Sequence, residues 1–81
     1  YNVLIMNDRI EVNPKIMLGK PVIKGTRITV EHILKLLKQN ITVNEILQDY
    51  PHLKKADIQA AIDYATDALS RERAYPLNFA A

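Results

Sequence analysis

Apolar positions change their spacing part-way along the chain, and the change separates an extended leading segment from a helical body. Arg9-Ile10-Glu11-Val12 alternates polar and apolar, as a half-buried strand does, and Asn13-Pro14 opens a turn. Pro14 and Pro21 each lack a backbone donor, while Gly19 and Gly25, the only glycines, permit turns, so residues 9–28 read as strand and turn. Pro21-Val22-Ile23 predicts a second short strand, turned through Lys24-Gly25 into Thr26-Arg27-Ile28. Two short strands are not stable alone, so this β arm is expected to lie on helices or to pair with a second chain.

From Thr29 the apolar period becomes that of a helix. Val30, Ile33, Leu34, Leu36 and Leu37 form one wide face behind Thr29, which is suited to cap the first turn. Helix one is expected to end near Gln39, with Asn40 left-handed, Lys38 facing the negative helix end and Ile41 folding back on the apolar face. Thr42-Val43-Asn44-Glu45 has capping-box form and starts a two-turn helix whose apolar side is Val43, Ile46, Leu47 and Tyr50; Pro51 stops it. Beyond the tight connection Pro51-His52-Leu53, the residues Ile58, Ala61, Ile62, Ala65 and Leu69 keep helical spacing. Helix three is predicted from about Lys55 to Arg73, ~27 Å in all, longer than its neighbours can cover. Its distal part, around Ala68 and Leu69, is therefore expected to pack on another chain. The ending Tyr75-Pro76-Leu77-Asn78-Phe79 puts apolar groups at every second position, which suits an extended segment in a groove.

Length holds this to one domain: 81 residues, divided into the β arm (1–28), a three-helix core (29–73) and a C-terminal tail (74–81). The fold class expected is mainly α, a helix-turn-helix bundle with a short N-terminal β hairpin. Hydrophobic residues make up 48% and charged ones 25%, the balance of a chain that folds. Chains this short have little stability to spare and gain from self-association, which favours a homodimer. The absence of cysteine removes disulfides and thiolate metal sites and makes the cytoplasm the expected compartment. Val3-Leu4-Ile5-Met6, the longest apolar run, falls far short of the ~20 residues of a membrane span, and no signal-peptide pattern surrounds it. Because Tyr1 stands where a methionine would start translation, the numbering is expected to begin inside a longer reading frame.

Charge is distributed unevenly. Residues 1–40 carry seven basic and three acidic side chains, a net of +4, whereas residues 41–81 carry four and six, a net of −2. Helix two, the turn and helix three have the spacing of a unit that lays its second helix in the DNA major groove. The exposed face of helix three offers Gln59, Asp63, Thr66 and Asp67, and its carboxylates repel phosphates, which leaves Lys54, Lys55 and Gln59 at its N-terminal end as the candidate DNA contacts. Lys20, Lys24 and Arg27 flank a glycine turn in the arm and are the better candidates, because a flexible basic arm can enter a minor groove or track phosphates. The competing reading makes Gly25-Thr26-Arg27 a structural corner, with Thr26 bonded to backbone and Arg27 paired with Glu31 or Asp49.

Other chemistry is sparse. His32 and His52 sit in different elements without ligand-spaced partners, Asp63 and Asp67 read as a solvated helix face, and the single serine, Ser70, has no base nearby in sequence. No nucleophile, general base or phosphate-cradling loop is evident, so no catalysis, cofactor, metal or small-molecule substrate is expected. Tyr50 and Tyr64 suit the edge of the core with their hydroxyls in water. Leu69, Tyr75, Leu77 and Phe79 are assigned to a partner surface, because exposed apolar groups in a small chain need cover.

The strings Arg9-Ile10-Glu11-Val12-Asn13-Pro14 and Gly19-Lys20-Pro21-Val22-Ile23-Lys24-Gly25-Thr26-Arg27-Ile28-Thr29-Val30 resemble the domain-of-unknown-function family 433. The likeness continues through Thr42-Val43-Asn44-Glu45-Ile46-Leu47, Asp49-Tyr50-Pro51-His52-Leu53 and Asp57-Ile58-Gln59-Ala60-Ala61, and covers roughly residues 9–66. The resemblance implies a homeodomain-like three-helix fold and the role of antitoxin in a bacterial type II toxin–antitoxin pair, often beside a PIN-like ribonuclease toxin. It thereby implies two partners, the chain's own promoter DNA and the cognate toxin. The alternative is a protein-interaction module whose helix-turn-helix is scaffold only. Two positions depart from the family pattern: Asn40 replaces a usual glycine, and Lys54 replaces a usual Thr or Ser cap. The second departure leaves cations at the positive end of helix three, whose start is expected to fray unless Asp57 serves as cap.

Overall fold

The computed structural model describes residues 8–71. Chain order is β1 (Ile10–Glu11), a 3-10 turn (Met17–Gly19), β2 (Val22–Ile23), α1 (Val30–Lys38), α2 (Val43–Asp49) and α3 (Lys55–Arg71). The protein is thus mainly helical, three helices with one two-stranded antiparallel hairpin in which Ile10 faces Ile23 and Glu11 faces Val22.

Local chemistry sets the helix ends. The Thr29 hydroxyl accepts the His32 N–H at 2.9 Å and starts α1. At the other end Asn40 takes φ +68°, so that its N–H reaches the Leu37 carbonyl (2.9 Å) and the Ile41 N–H reaches the Leu36 carbonyl (3.1 Å). This paired closure is a Schellman stop, and asparagine substitutes for glycine because its short polar side chain tolerates the left-handed region. Thr42 and Glu45 form the reciprocal capping box that starts α2: the Glu45 N–H donates to the Thr42 hydroxyl (3.2 Å) and the Thr42 N–H to the Glu45 carboxylate (2.8 Å).

The core is built from every element except the 3-10 turn. Ile23, Val30, Ile33, Ile46, Leu53, Ile58 and Ala61 are buried together, and Ile33 and Ile46 are fully enclosed. Burying an isoleucine side chain contributes about 1.5–3 kcal/mol, so these few residues carry most of the packing energy. Leu53 belongs to this cluster, although its place in a short connection between helices carries no periodic signal. Val22 and Ile23 are also buried, so the hairpin lies on the helices, the first of the two placements expected for it, and as a wall of the domain it is not a flexible arm for a minor groove. Beyond β2 the chain doubles back through a second tight turn at residues 24–27, the hairpin loop, closed by the Ile23 N–H to the Ile28 carbonyl (2.9 Å), and the Val30 N–H returns to the Pro21 carbonyl (2.9 Å). Gly25, at φ +83°, has no atom near the position of a Cβ, so backbone conformation alone accounts for glycine there.

Candidate nucleic-acid interface

The first turn of α3 begins where Leu53, held in the core, fixes the connection from α2, and it leaves Lys54 and Lys55 exposed. Asp57 completes that end. Its Oδ2 accepts the Lys54 backbone N–H at 2.8 Å, and its Oδ1 accepts the Arg9 guanidinium Nη1 at 3.0 Å. The exception named for this helix end therefore holds: Asp57, three residues into the helix, supplies the N3 half of a capping box although the Thr or Ser half is missing. Asp57 is itself buried, so its charge has left bulk water and stands against both the helix N-terminus and Arg9.

Arg9 continues the linkage, since its carbonyl accepts the Lys24 N–H at 2.8 Å. Three hydrogen bonds in series, Lys54 to Asp57, Asp57 to Arg9 and Arg9 to Lys24, thus set the hairpin loop beside the first turn of α3. Thr26 fixes the loop's shape by donating its hydroxyl to the Ile23 carbonyl (2.8 Å) and accepting the Ile28 N–H (2.9 Å). Lys24 and Arg27 are exposed on that loop, and among the described residues neither side chain enters an ion pair or a side-chain hydrogen bond. The corner reading thus holds for Thr26, whereas the Arg27 pairing with Glu31 or Asp49 does not form.

Lys20 is the arm cation that does not join this face. Its Nζ lies 3.3 Å from Glu31 Oε1 on α1, and Lys35 approaches Glu31 Oε2 at 3.6 Å. The Lys20 hydrogen bond and charge, followed by the Lys35 charge, hold the Glu31 carboxyl below the usual range. Gln59 is exposed one turn into α3, but its amide donates to Asp63 Oδ1 at 3.1 Å, which turns it toward an acid.

The remaining candidates fall into two groups. Leu69 is 70% exposed near the far end of α3, while Tyr75, Leu77 and Phe79 lie outside the described residues. His32 Nε2 meets the Tyr50 hydroxyl at 3.1 Å with the rings edge-on, so Tyr50 ties α1 to the end of α2 in place of pointing only to water. Among the described residues no cluster of three histidines or acids stands ready for a metal ion, and no helix is long and apolar enough to cross a membrane. Sequence reasoning missed Arg9 and Asp57 as the joint between arm and helix. The acid three residues after Lys54 was the one available signal; nothing local marks Arg9 as its partner.

A family model described as a protein of unknown function (DUF433) matches residues 10–65, most of the chain. The chain is a member of the DUF433 family. No curated protein and no solved structure matches it. In this DUF433 chain the matched span takes in the hairpin loop and the first turn of α3, and it stops at Ala65, before Ala68 and Leu69.

Proposed function

We propose that this DUF433 chain is a bacterial, non-enzymatic cytoplasmic protein that binds DNA through the hairpin loop and the start of α3, serving as the antitoxin of a type II pair that represses its own promoter and neutralises a PIN-like ribonuclease. The observation that carries the DNA half is the juxtaposition of Lys24, Arg9, Lys54 and Lys55 across the Asp57 linkage. A helix-turn-helix presents the N-terminal residues of its second helix to DNA, and those residues here are the lysines. Asp63 lies eight residues beyond Lys55, ~12 Å along the axis, so only the first turn approaches phosphates closely. Lys24 and Arg27 then track the backbone from the rigid loop, which orders them in advance and reduces the entropic cost of binding.

The test is fluorescence anisotropy of the full chain with DNA from upstream of its own reading frame, across a salt series. Binding is expected to weaken steeply with salt, and Lys54→Ala/Lys55→Ala to lower the slope by about two, roughly one for each phosphate no longer neutralised. Absence of any complex at low salt ends the DNA half. A protein-interaction module is the second reading, favoured by the acidic outer face of α3 where Gln59 is already engaged by Asp63. Co-purification with the neighbouring gene product, without DNA binding, selects it.

A further inference from the structure

Past its covered first turns, α3 borders an open groove. Ala65, Ala68 and Leu69 face Val30 and Leu34 of α1 across a space of about 430 Å³. Ala68 and Leu69 are exposed among the described residues. Lys35 and Lys38 of α1 stand on the rim with Lys20, and the one acid beside them, Glu31, already meets Lys20 at 3.3 Å and Lys35 at 3.6 Å. The groove is thus apolar inside and net positive at its edge.

We propose that residues 75–79 of the same chain occupy this groove, extended and folded back along α3. The chain leaves α3 at Arg71, two residues beyond Leu69, so it departs from the groove's own end. Pro76 lacks the N–H that a helix interior uses and disfavours helical backbone at Tyr75, which limits α3 to about one further turn. Four steps of chain from Arg71 to Tyr75 reach up to ~13 Å, against about 8–10 Å between the axes of packed helices, so the length suffices for the reversal. Tyr75, Leu77 and Phe79 alternate with Pro76 and Asn78, and an extended segment with that spacing presents all three apolar side chains on one face. That face is ~13 Å long, and α1, the opposite wall, runs ~12 Å from Val30 to Lys38. No charged side chain follows Arg73, so the segment passes the lysine rim without repulsion.

Covalent connection selects this occupant over the others. A segment on a link of a few residues is held at an effective concentration in the millimolar range, about a thousandfold above a second copy at micromolar protein. The other apolar run outside the described residues, Val3-Leu4-Ile5-Met6, leads into β1, and Arg9 ties that end of the chain to Asp57 at the start of α3. Twelve residues, ~18 Å of helix, separate Asp57 from Leu69, so that run approaches from the far end. The seat also stays clear of the proposed DNA face, because Lys54 and Lys55 stand at the same first turn as Asp57.

Chymotrypsin digestion of the folded full chain, followed by mass spectrometry, tests the seat. Cleavage after Leu77 and Phe79 is expected to be at least about tenfold slower in the wild type than in Ala68→Glu, which puts a charge into the groove at an exposed position and keeps the circular dichroism spectrum. Because the chain has no cysteine, paired substitutions give a second measurement. Mild oxidation is expected to close a disulfide within one chain in Ala68→Cys/Leu77→Cys, at a yield independent of protein concentration. The same treatment of Asn44→Cys/Leu77→Cys, with residue 44 on the exposed side of α2, is expected to close none. Equal digestion of the wild type and Ala68→Glu, or equal closure of the two pairs, overturns the proposal. So does a covalent dimer whose yield rises with concentration, which assigns the groove to a second copy, or readier closure in Ala68→Cys/Ile5→Cys, which assigns it to the leading segment. The DNA reading fails separately: Ala68→Glu keeps the wild-type salt dependence of DNA binding, and Lys54→Ala/Lys55→Ala leaves the tail protected.

Discussion

The two ends of α3 share one helix and one apolar stripe, yet the first is closed and the second bare. At the start, Asp57 takes the helix's own N–H and the Arg9 guanidinium, Ile58 is buried in the core, and β1 lies alongside. At the far end, Ala68 and Leu69 meet no element of the described chain that covers them. The contrast teaches where stability and association reside. Groups that a chain needs for its own fold are satisfied within it, while an amphipathic stripe that outlasts its neighbours presents apolar surface that association can remove from water.

The largest effect expected separates these ends directly. Asp57→Ala removes the cap and leaves the Arg9 guanidinium without its carboxylate; the cost is about 2 kcal/mol, most of it from the cap and from the buried donor, because Arg9 is itself half in water. Leu69→Ala, measured at concentrations where the chain is monomeric, is expected to change stability by less than about 0.5 kcal/mol. Urea midpoints of the two variants decide the matter. If the Asp57 variant unfolds no earlier than the Leu69 variant, the ends are equivalent and the contrast is gone.

Much of the fold ahead of α3 was legible in sequence, and the reason is that its signals are local. The Thr42–Glu45 box, the Asn40 stop and the Thr29 cap each depend on residues within four positions of one another, so spacing alone reveals them. The first strand followed from alternation and the second from an apolar pair set between Pro21 and the Lys24-Gly25 turn. What could not be read depends on residues far apart in the chain: Arg9 meets Asp57 across 48 positions, and Lys20 leaves the basic arm for Glu31 across 11. Basic composition located the cations of the arm but not which of them would be neutralised. The backbone of the 3-10 turn was equally hidden, since Met17 and Leu18 take φ +49° and +59° in a region where sequence preference offers no warning for such side chains.

Leu18 provides a sharper form of the same comparison, because among the described residues it is the other strongly exposed leucine. It is 93% exposed and left-handed, whereas Leu69 is exposed on a regular helix. Left-handed backbone costs a side-chain-bearing residue roughly 1–2 kcal/mol, and glycine avoids that at a smaller entropic cost. Leu18→Gly is therefore expected to raise stability by about 0.5–1 kcal/mol and to leave the oligomeric state alone. Thermal unfolding together with sedimentation checks both halves. An unchanged or lower midpoint means that the left-handed turn holds no strain for glycine to relieve.

The smallest effect concerns the α1 side of the open groove, where Glu31 holds Lys20 and Lys35. Lys20 first, by hydrogen bond and charge, and then Lys35 by charge lower the Glu31 pKa in the folded chain from its ordinary value of 4.5. A carboxyl whose folded value is depressed binds fewer protons folded than unfolded, so its contribution is complete above the unfolded value and disappears as pH falls through the folded one. Wild-type stability should therefore decline more steeply than that of Glu31→Gln as pH drops below that ordinary value, and the two curves should run parallel near neutrality. All three side chains are more than half exposed, so added salt should bring the acid limbs together. Urea midpoints from about pH 6 to about pH 3, at low and at high salt, read the difference. Curves that stay parallel throughout the acid range mean that the three groups are held by water and not by one another, and the α1 side of the groove then carries two lysines, Lys20 and Lys35, that Glu31 does not hold.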